Sequence, residues 1–425
     1  MKYKLFIILS ILTIALSGNA SIASQKPEDA NNLLNLEDYL EFAALNNASL
    51  EAAFEQWKAS VEKIPQAKAL PDPKFTYSYF IKEVETRTGP QRQKLSIIQT
   101  FPWFGIIEAG SDAVSAEAKA AYKQYEGTKL DLFFQVKYSF YEYYYLGRAI
   151  EIAGQNLELL RHFEEVARTR YTTSSGSHPD IIRAQIELAF IENKLKSLEE
   201  LQVPVVTSLN SILNRKTDSF LPWPEKIQFK PVKIDRETVI DKLIENNPQL
   251  QAMDYEVIAA KARIEIAKRK SYPNFNIGLD WIQTDDAQAT GIRDTGKDPI
   301  IAMFSINLPI WTESYKAAEL ETRAKMRSIS AKKVQNQNDL IAKLEKTLYE
   351  FEDTIRKIDL YEDVLIPKAK EMLEASEIAY KAGTVDFLSL IDAQRSLLEF
   401  ELSYVRSITE NLQKTAEIEM LTGGD

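Results

Sequence analysis

The side chains that could do chemistry in this chain are few and poorly arranged for it. There is no cysteine, and His162 and His178 are the only histidines. An imidazole without partner ligands seldom holds a metal, so neither predicts a metal site. Ser175-Gly176-Ser177 superficially suggests a nucleophile turn, but no strand precedes it, as a nucleophile elbow requires. No glycine-rich phosphate loop and no nucleophile–base pair stands out, and the many Asp and Glu fall on helical faces as solvated charge. The aromatic run Tyr141–Tyr145 reads as helix packing. Neither an enzyme nor a cofactor is expected. What remains is acids beside turns: Asp180 after Gly176, and Asp386 and Asp392 after Gly383. An acid in the first turn of a helix is favoured by the helix dipole and needs no further role.

The elements that carry these residues come in two copies. At an offset of about 200, Asn46-Asn47-Ala48-Ser49-Leu50 answers Asn246-Asn247-Pro248-Gln249-Leu250, Pro73 answers Pro273, and Phe75–Tyr79 answers Phe275–Leu279. Further on, at a slightly larger offset, Phe101-Pro102-Trp103 matches Leu308-Pro309-Ile310, Tyr171 matches Tyr380, and Ala184-Gln185 matches Ala393-Gln394. The chain is therefore two fused units, predicted as 24–214 and 236–425 with a proline-bearing linker, 215–235, between them. Residues 1–23 precede the first unit. Their basic start (Lys2, Lys4), apolar run Leu5–Leu16 and small residues Ser21-Ile22-Ala23 predict a secretory signal peptide, too short in its apolar part to span a bilayer.

Removing Lys2 and Lys4 takes the formal charge from −10 to −12. An acidic chain without a basic stripe disfavours nucleic acid. Without cysteine it has no disulfide and no lipid-bearing N-terminal cysteine. No later apolar run reaches about 20 residues, so a membrane role would have to use a β-barrel.

Each unit opens with helix, the first from Leu36 and then from about Ser49 to Leu70, where Pro71-Asp72-Pro73 stops it. The period then changes from 3.6 to 2. Phe75, Tyr77, Tyr79 and Ile81 alternate with polar residues until Phe80 interrupts, and Phe275, Ile277, Leu279 and Trp281 alternate cleanly. Return strands are expected near 93–100 and 299–308, giving one hairpin per unit, at about 74–101 and 274–308. On alternation alone these strands read as a half-buried soluble sheet. Their context changes the reading: four strands are too few to close a barrel, isolated hairpins are marginal in water, and three chains supply twelve. Trp103, Trp281 and Trp311 are placed at strand ends, where they suit an aromatic belt at a membrane interface.

After each hairpin a long helix is expected, about 106–173 and 312–382, then a turn and a shorter return helix, about 180–214 and 386–422. Val136, Tyr143, Ile150 and Leu157 recur every seven residues, as do Leu344, Phe351, Ile358 and Leu365, the pattern of coiled-coil seams. Those seams alone would suit a periplasmic or surface coiled-coil scaffold with a β-tip, the main alternative.

The whole arrangement resembles the TolC-like outer-membrane efflux protein family. The likeness is carried by Leu45–Leu50 and its copy, Gln99–Gly105, Leu365–Ala369, and Tyr380–Arg395, which includes Ala382-Gly383-Thr384-Val385-Asp386. The resemblance implies a mainly α fold with a β-barrel part. Long helical hairpins of a homotrimer form an α-barrel across the periplasm, joined to a twelve-stranded transmembrane β-barrel in the outer membrane. It implies an exit duct, fed by a periplasmic adaptor and an inner-membrane pump, often of the resistance-nodulation-division type, for metal cations or drugs. It also implies a periplasmic gate of acids, with Asp392 at the matching place, Ser389 where a second acid is usual, and Asp386 and Asp180 nearby. Gly176, Gly383 and Thr384 would form the adaptor-docking tip. Gln99–Gly105 is most similar to the heavy-metal branch, although Ile106 stands where those relatives usually carry lysine.

Overall fold

Asn47 and Asn247 explain why each copy keeps its Asn-Asn pair. In the computed structural model, which describes Leu33 and residues 35–424, Asn47 Oδ1 accepts the backbone N–H of Ser49 (2.9 Å) and Leu50 (3.0 Å). This caps a helix start whose first N–H groups lack partners inside the helix. Its Nδ2 donates to the carbonyl of Ile212 at 2.8 Å. Asn247 repeats the cap on Gln249 and Leu250 and donates to Leu421 at 2.9 Å. Each copy thus ties the start of its second helix to the end of its own return helix. The expected signal peptide lies outside the described residues.

The first copy runs through α1 (Leu36–Asn46), α2 (Ala48–Val61), α3 (Lys63–Lys68), β1 (Lys74–Val84), β2 (Gln91–Phe101), α4 (Ile106–Thr172) and α5 (His178–Ile212). The second runs through α6 (Arg236–Asn246), α7 (Pro248–Arg269), β3 (Phe275–Thr284), β4 (Ile300–Ile306) and α8 (Thr312–Asp359). A π-helical turn (Leu360–Leu365), α9 (Ile366–Ala382) and α10 (Phe387–Thr422) complete it. With 67 residues, α4 is a rod of about 100 Å.

Proline accounts for two departures from the expected helices. The stretch read as one helix from Ser49 to Leu70 breaks at Glu62, because Pro65 has no N–H for the Val61 carbonyl. The rod 312–382 is not α-helical throughout. Pro367 leaves an acceptor unpaired, the ladder widens, and Ile366 N–H bonds back to Tyr361 instead of Glu362. Phe80 interrupts the alternation of β1 because the ladder to β2 shifts register between Tyr79 and Val84.

The two hairpins are not separate. β2 pairs with β3 along its length, so all four strands form one antiparallel sheet in the order β1-β2-β3-β4, with β1 and β4 as free edges. Toward the sheet α4 packs beside α7; toward the far end it packs between α5 and α10. The seam residues Val136, Tyr143, Leu146, Leu157 and Leu160 are buried, as are Leu344, Leu348, Phe351 and Ile358, while Ile150 and Leu365 are half-buried. Between the copies, residues 215–235 lie against the middle of α4. Tyr143 donates its hydroxyl to the Leu221 carbonyl at 2.9 Å and stacks on Trp223 at 4.5 Å. Gly147 leaves room for that indole, which a Cβ would approach to 2.8 Å.

Candidate functional site

Two regions carry features that packing alone does not require: the faces of the sheet and the turns at the far end of the rods. Residues opposite one another in a sheet share a face, and the register sorts the side chains into two sets. One face carries the rows Thr76-Ser96-Asp280 and Thr100-Asn276-Ser305. It is hydrogen-bonded internally: Asp280 accepts from Lys94 and from Ser96 at 2.5 Å each, and Thr100 donates to Asn276 at 2.7 Å. Asp280 is only 4% exposed. The other face carries Phe75-Ile97-Leu279-Ala302, Tyr77-Leu95-Trp281-Ile300 and Phe101-Phe275-Ile306. It is apolar yet open, with Phe75 at 65%, Phe304 at 67% and Ile300 at 68% exposure. An apolar patch this continuous is not left bare in water. Asp280 is one of the polar positions in the alternation of β3, and Lys94, a charge inside β2, is the further sequence signal for the polar face.

The three tryptophans do not form one belt. Trp103, just past β2, stacks on Tyr272 (5.1 Å) and Phe275 (5.5 Å), and Trp311 immediately precedes α8; both lie at the helical end of the sheet. Trp281 does not stand at a strand end, as expected. Three residues of β3 follow it, and its row is the last apolar one before Gln93 and Gln283 face each other. Trp281 therefore marks the far edge of the apolar band, opposite Trp103 and Trp311.

At the tips, the two turns differ in which residue bears the left-handed backbone. In the second copy it is Gly383 (φ +78); in the first it is Ser174 (φ +59). Gly176 stands two residues later and serves instead to leave space, since a Cβ there would lie 2.9 Å from the Cβ of Arg170. Thr384 spends both its N–H (3.0 Å) and its hydroxyl (3.1 Å) on the Ala379 carbonyl, closing the turn.

The candidate gate acids have three different settings. Asp386 caps α10, accepting from the N–H (3.0 Å) and hydroxyl (2.7 Å) of Ser389, which hold its carboxyl below the usual range. Asp180 accepts a hydrogen bond from the Tyr380 hydroxyl at 3.2 Å. Burial, then the Asp180 charge, push that phenol up to about 12. Asp392 has neither duty: its side chain is 61% exposed, with Arg395 loosely beside it at 3.8 Å. It begins a stripe on α10 that continues through Arg395, Glu399, Ser403 and Arg406 along an open groove of about 620 Å³. Among the described residues no group of three or more acids and histidines is placed to hold a metal ion, and no helix is long and apolar enough to cross a membrane.

Residues 239–424 match the family model described as outer membrane efflux protein. The match covers the second copy, 186 of the chain's 425 residues. Proteins of that family are efflux proteins of the outer membrane. The chain is 21% identical over 435 residues to the cobalt-zinc-cadmium resistance protein CzcC of Cupriavidus metallidurans, covering 99% of both chains. It is 22% identical over 397 residues to nodulation protein T of Rhizobium leguminosarum bv. trifolii, covering 88% of this chain and 82% of that one. Its fold is shared with the outer-membrane channel OprN (TM-score 0.77, 16% identity, 92% and 90% of the chains). It is shared equally with the transmembrane channel CusC (TM-score 0.78, 14% identity, 92% of each). At such identities the likeness to these channels is one of fold.

Proposed function

We propose that three copies of this chain assemble into the outer-membrane exit duct of a tripartite efflux system. The observation that carries the reading is the two-faced sheet with free edges. β1 and β4 each present an unpaired row of backbone groups, and in a membrane such groups must be paired. Joining β4 of one copy to β1 of the next closes twelve strands without an edge, with the apolar face outward to lipid and the Asp280–Lys94–Ser96 face inward to water. Rods of about 100 Å then continue the lumen into the periplasm. In this reading residues 1–23 are a removed signal peptide, and 24–214 and 236–425 are the two repeats, joined by 215–235 as an equatorial strap. Trp103 and Trp311 lie at the periplasmic interface of the outer membrane and Trp281 at its outer interface. The tips at Gly176, Gly383 and Thr384 meet a periplasmic adaptor, behind which stands an inner-membrane pump of the resistance-nodulation-division type. Asp392, the acid free of capping duty, is the principal gate residue.

The full-length match to a cobalt-zinc-cadmium resistance protein favours divalent metal cations over drugs as cargo. A coiled-coil scaffold would share the rods but has no use for a bare apolar sheet face.

The deciding experiment is single-channel conductance of the purified protein in a planar bilayer, with its mass measured in detergent. A trimer with discrete conductance is expected. A water-soluble rod without channel activity would overturn the duct. Cargo is tested by deletion: hypersensitivity to cobalt, zinc or cadmium supports metal export, whereas unchanged metal tolerance with new drug sensitivity moves the cargo to drugs.

A further inference from the structure

Both tip turns of a protomer close on one side chain. Arg170 lies half-buried in the last turn of α4. Its Nη2 donates to the Ser175 carbonyl of its own turn at 2.7 Å. Its Nη1 donates to the carbonyl of Tyr380, near the end of α9 in the other copy. The guanidinium carbon stands 4.5 Å from the centroid of the Tyr380 ring, a cation–π contact.

The glycines of both turns lie against the same side chain, although Gly383 is required first by its left-handed backbone. A Cβ at Gly176 would press on the Arg170 Cβ at 2.9 Å, and one at Gly383 would meet its Nη2 at 3.1 Å. The copies are not symmetric here. With Tyr171 matched to Tyr380, the counterpart of Arg170 is Ala379, whose methyl group has no donor to offer. An arginine placed only to favour a helix C-terminus would bond within its own turn. Arg170 instead divides its planar fork between two carbonyls of two different hairpins, which a lysine, a point charge without a fork, does not reproduce.

We propose that Arg170 is a positioning residue that clasps the two tip turns of a protomer into a single head, so that both copies present their turns together. This rests on the duct reading only in so far as the tips are where the protein docks and opens. The clasp divides the work: the first copy supplies the side chain, and the second supplies the carbonyl and ring that receive it.

The test is hydrogen exchange of the purified full-length protein, comparing wild type with Arg170→Ala and Arg170→Lys; protection of the sheet and of residues 215–235 checks that the variants are folded. Exchange in the second-copy turn, residues 379–386, should rise about tenfold in both variants, since the segment is held from the other copy. If Arg170→Ala loosens only 171–178 and leaves 379–386 as in wild type, Arg170 is an ordinary helix cap and the clasp is overturned. Full protection in Arg170→Lys would reduce it to a positive charge and overturn it equally. Should Arg170→Ala fail to fold, Arg170→Lys decides alone. Conductance on the same samples separates the two readings: a wild type that never conducts defeats the duct, while the exchange data still decide the clasp.

Discussion

A carboxylate's partners decide what it can do at the tip. Asp392 is exposed and loosely paired, whereas Asp386 and Asp180 are committed to Ser389 and Tyr380. Asp392→Asn should therefore weaken block of the pore by divalent cations and raise its resting conductance. Block unchanged from wild type in a planar bilayer would remove Asp392 from the gate. Asp386 has a different expected signature. Its folded-state carboxyl is held low by the Ser389 hydrogen bonds, so the folded state binds fewer protons than the unfolded one in the acid range. Its contribution is present above the ordinary carboxylate value and is lost as pH falls through the folded value. Protection of the first turn of α10, exchange measured relative to its intrinsic pH-dependent rate, should fall on acidification, and that fall should be absent in Asp386→Asn. A first turn with the same acid response in both proteins would contradict the capping role.

At the scale of elements, the helices are held in register by a few polar contacts inside apolar seams. Gln394 of α10 donates to Asn156 of α4 at 3.0 Å, both buried. Asn156→Leu should cost about 1–3 kcal/mol, because the Gln394 amide is left unpaired in the core. Adding Gln394→Leu should recover most of that loss, since the last unpaired group is then gone. Thermal melting in detergent of the two single variants and the double one reads this coupling, and additive losses would refute it. Proline acts at the same scale. Pro65 and Pro367 each remove one donor, and the chain answers with a break in one case and a π-helical turn in the other. At the second site the π-helical turn and α9 stay packed against α10 while the ladder widens.

For the whole molecule, the prediction concerns the two sides of the sheet. Leu279 lies on the open apolar face and Thr76 on the polar one. Leu279→Lys should destabilise the assembled barrel by about 2–4 kcal/mol, the cost of a cation facing lipid near mid-membrane, whereas Thr76→Lys should be tolerated. Outer-membrane abundance and heat resistance of the trimer on gels measure both. Equal behaviour of the two variants would mean that the sheet does not separate lipid from water.

Much of this architecture was legible in the residues themselves. Periods of 2 and 3.6, the proline stops and the duplication are local patterns, and they placed four strands and the long rods within a few residues. Asn47 and Asn247 could be seen as a repeated break, but not as ties to Ile212 and Leu421, because those partners lie far along the chain. The same limit explains what only the tertiary structure decided. Pairing of β2 with β3 made two hairpins one sheet and gave it a wet and a greasy face, moving Trp281 from a strand end to the far edge of the apolar band. It also distributed the tip acids among cap, tyrosine partner and open side chain, and brought Arg170 of one copy onto Tyr380 of the other. Backbone period is set by neighbours in sequence, whereas partners are set by which surfaces the folded chain brings together.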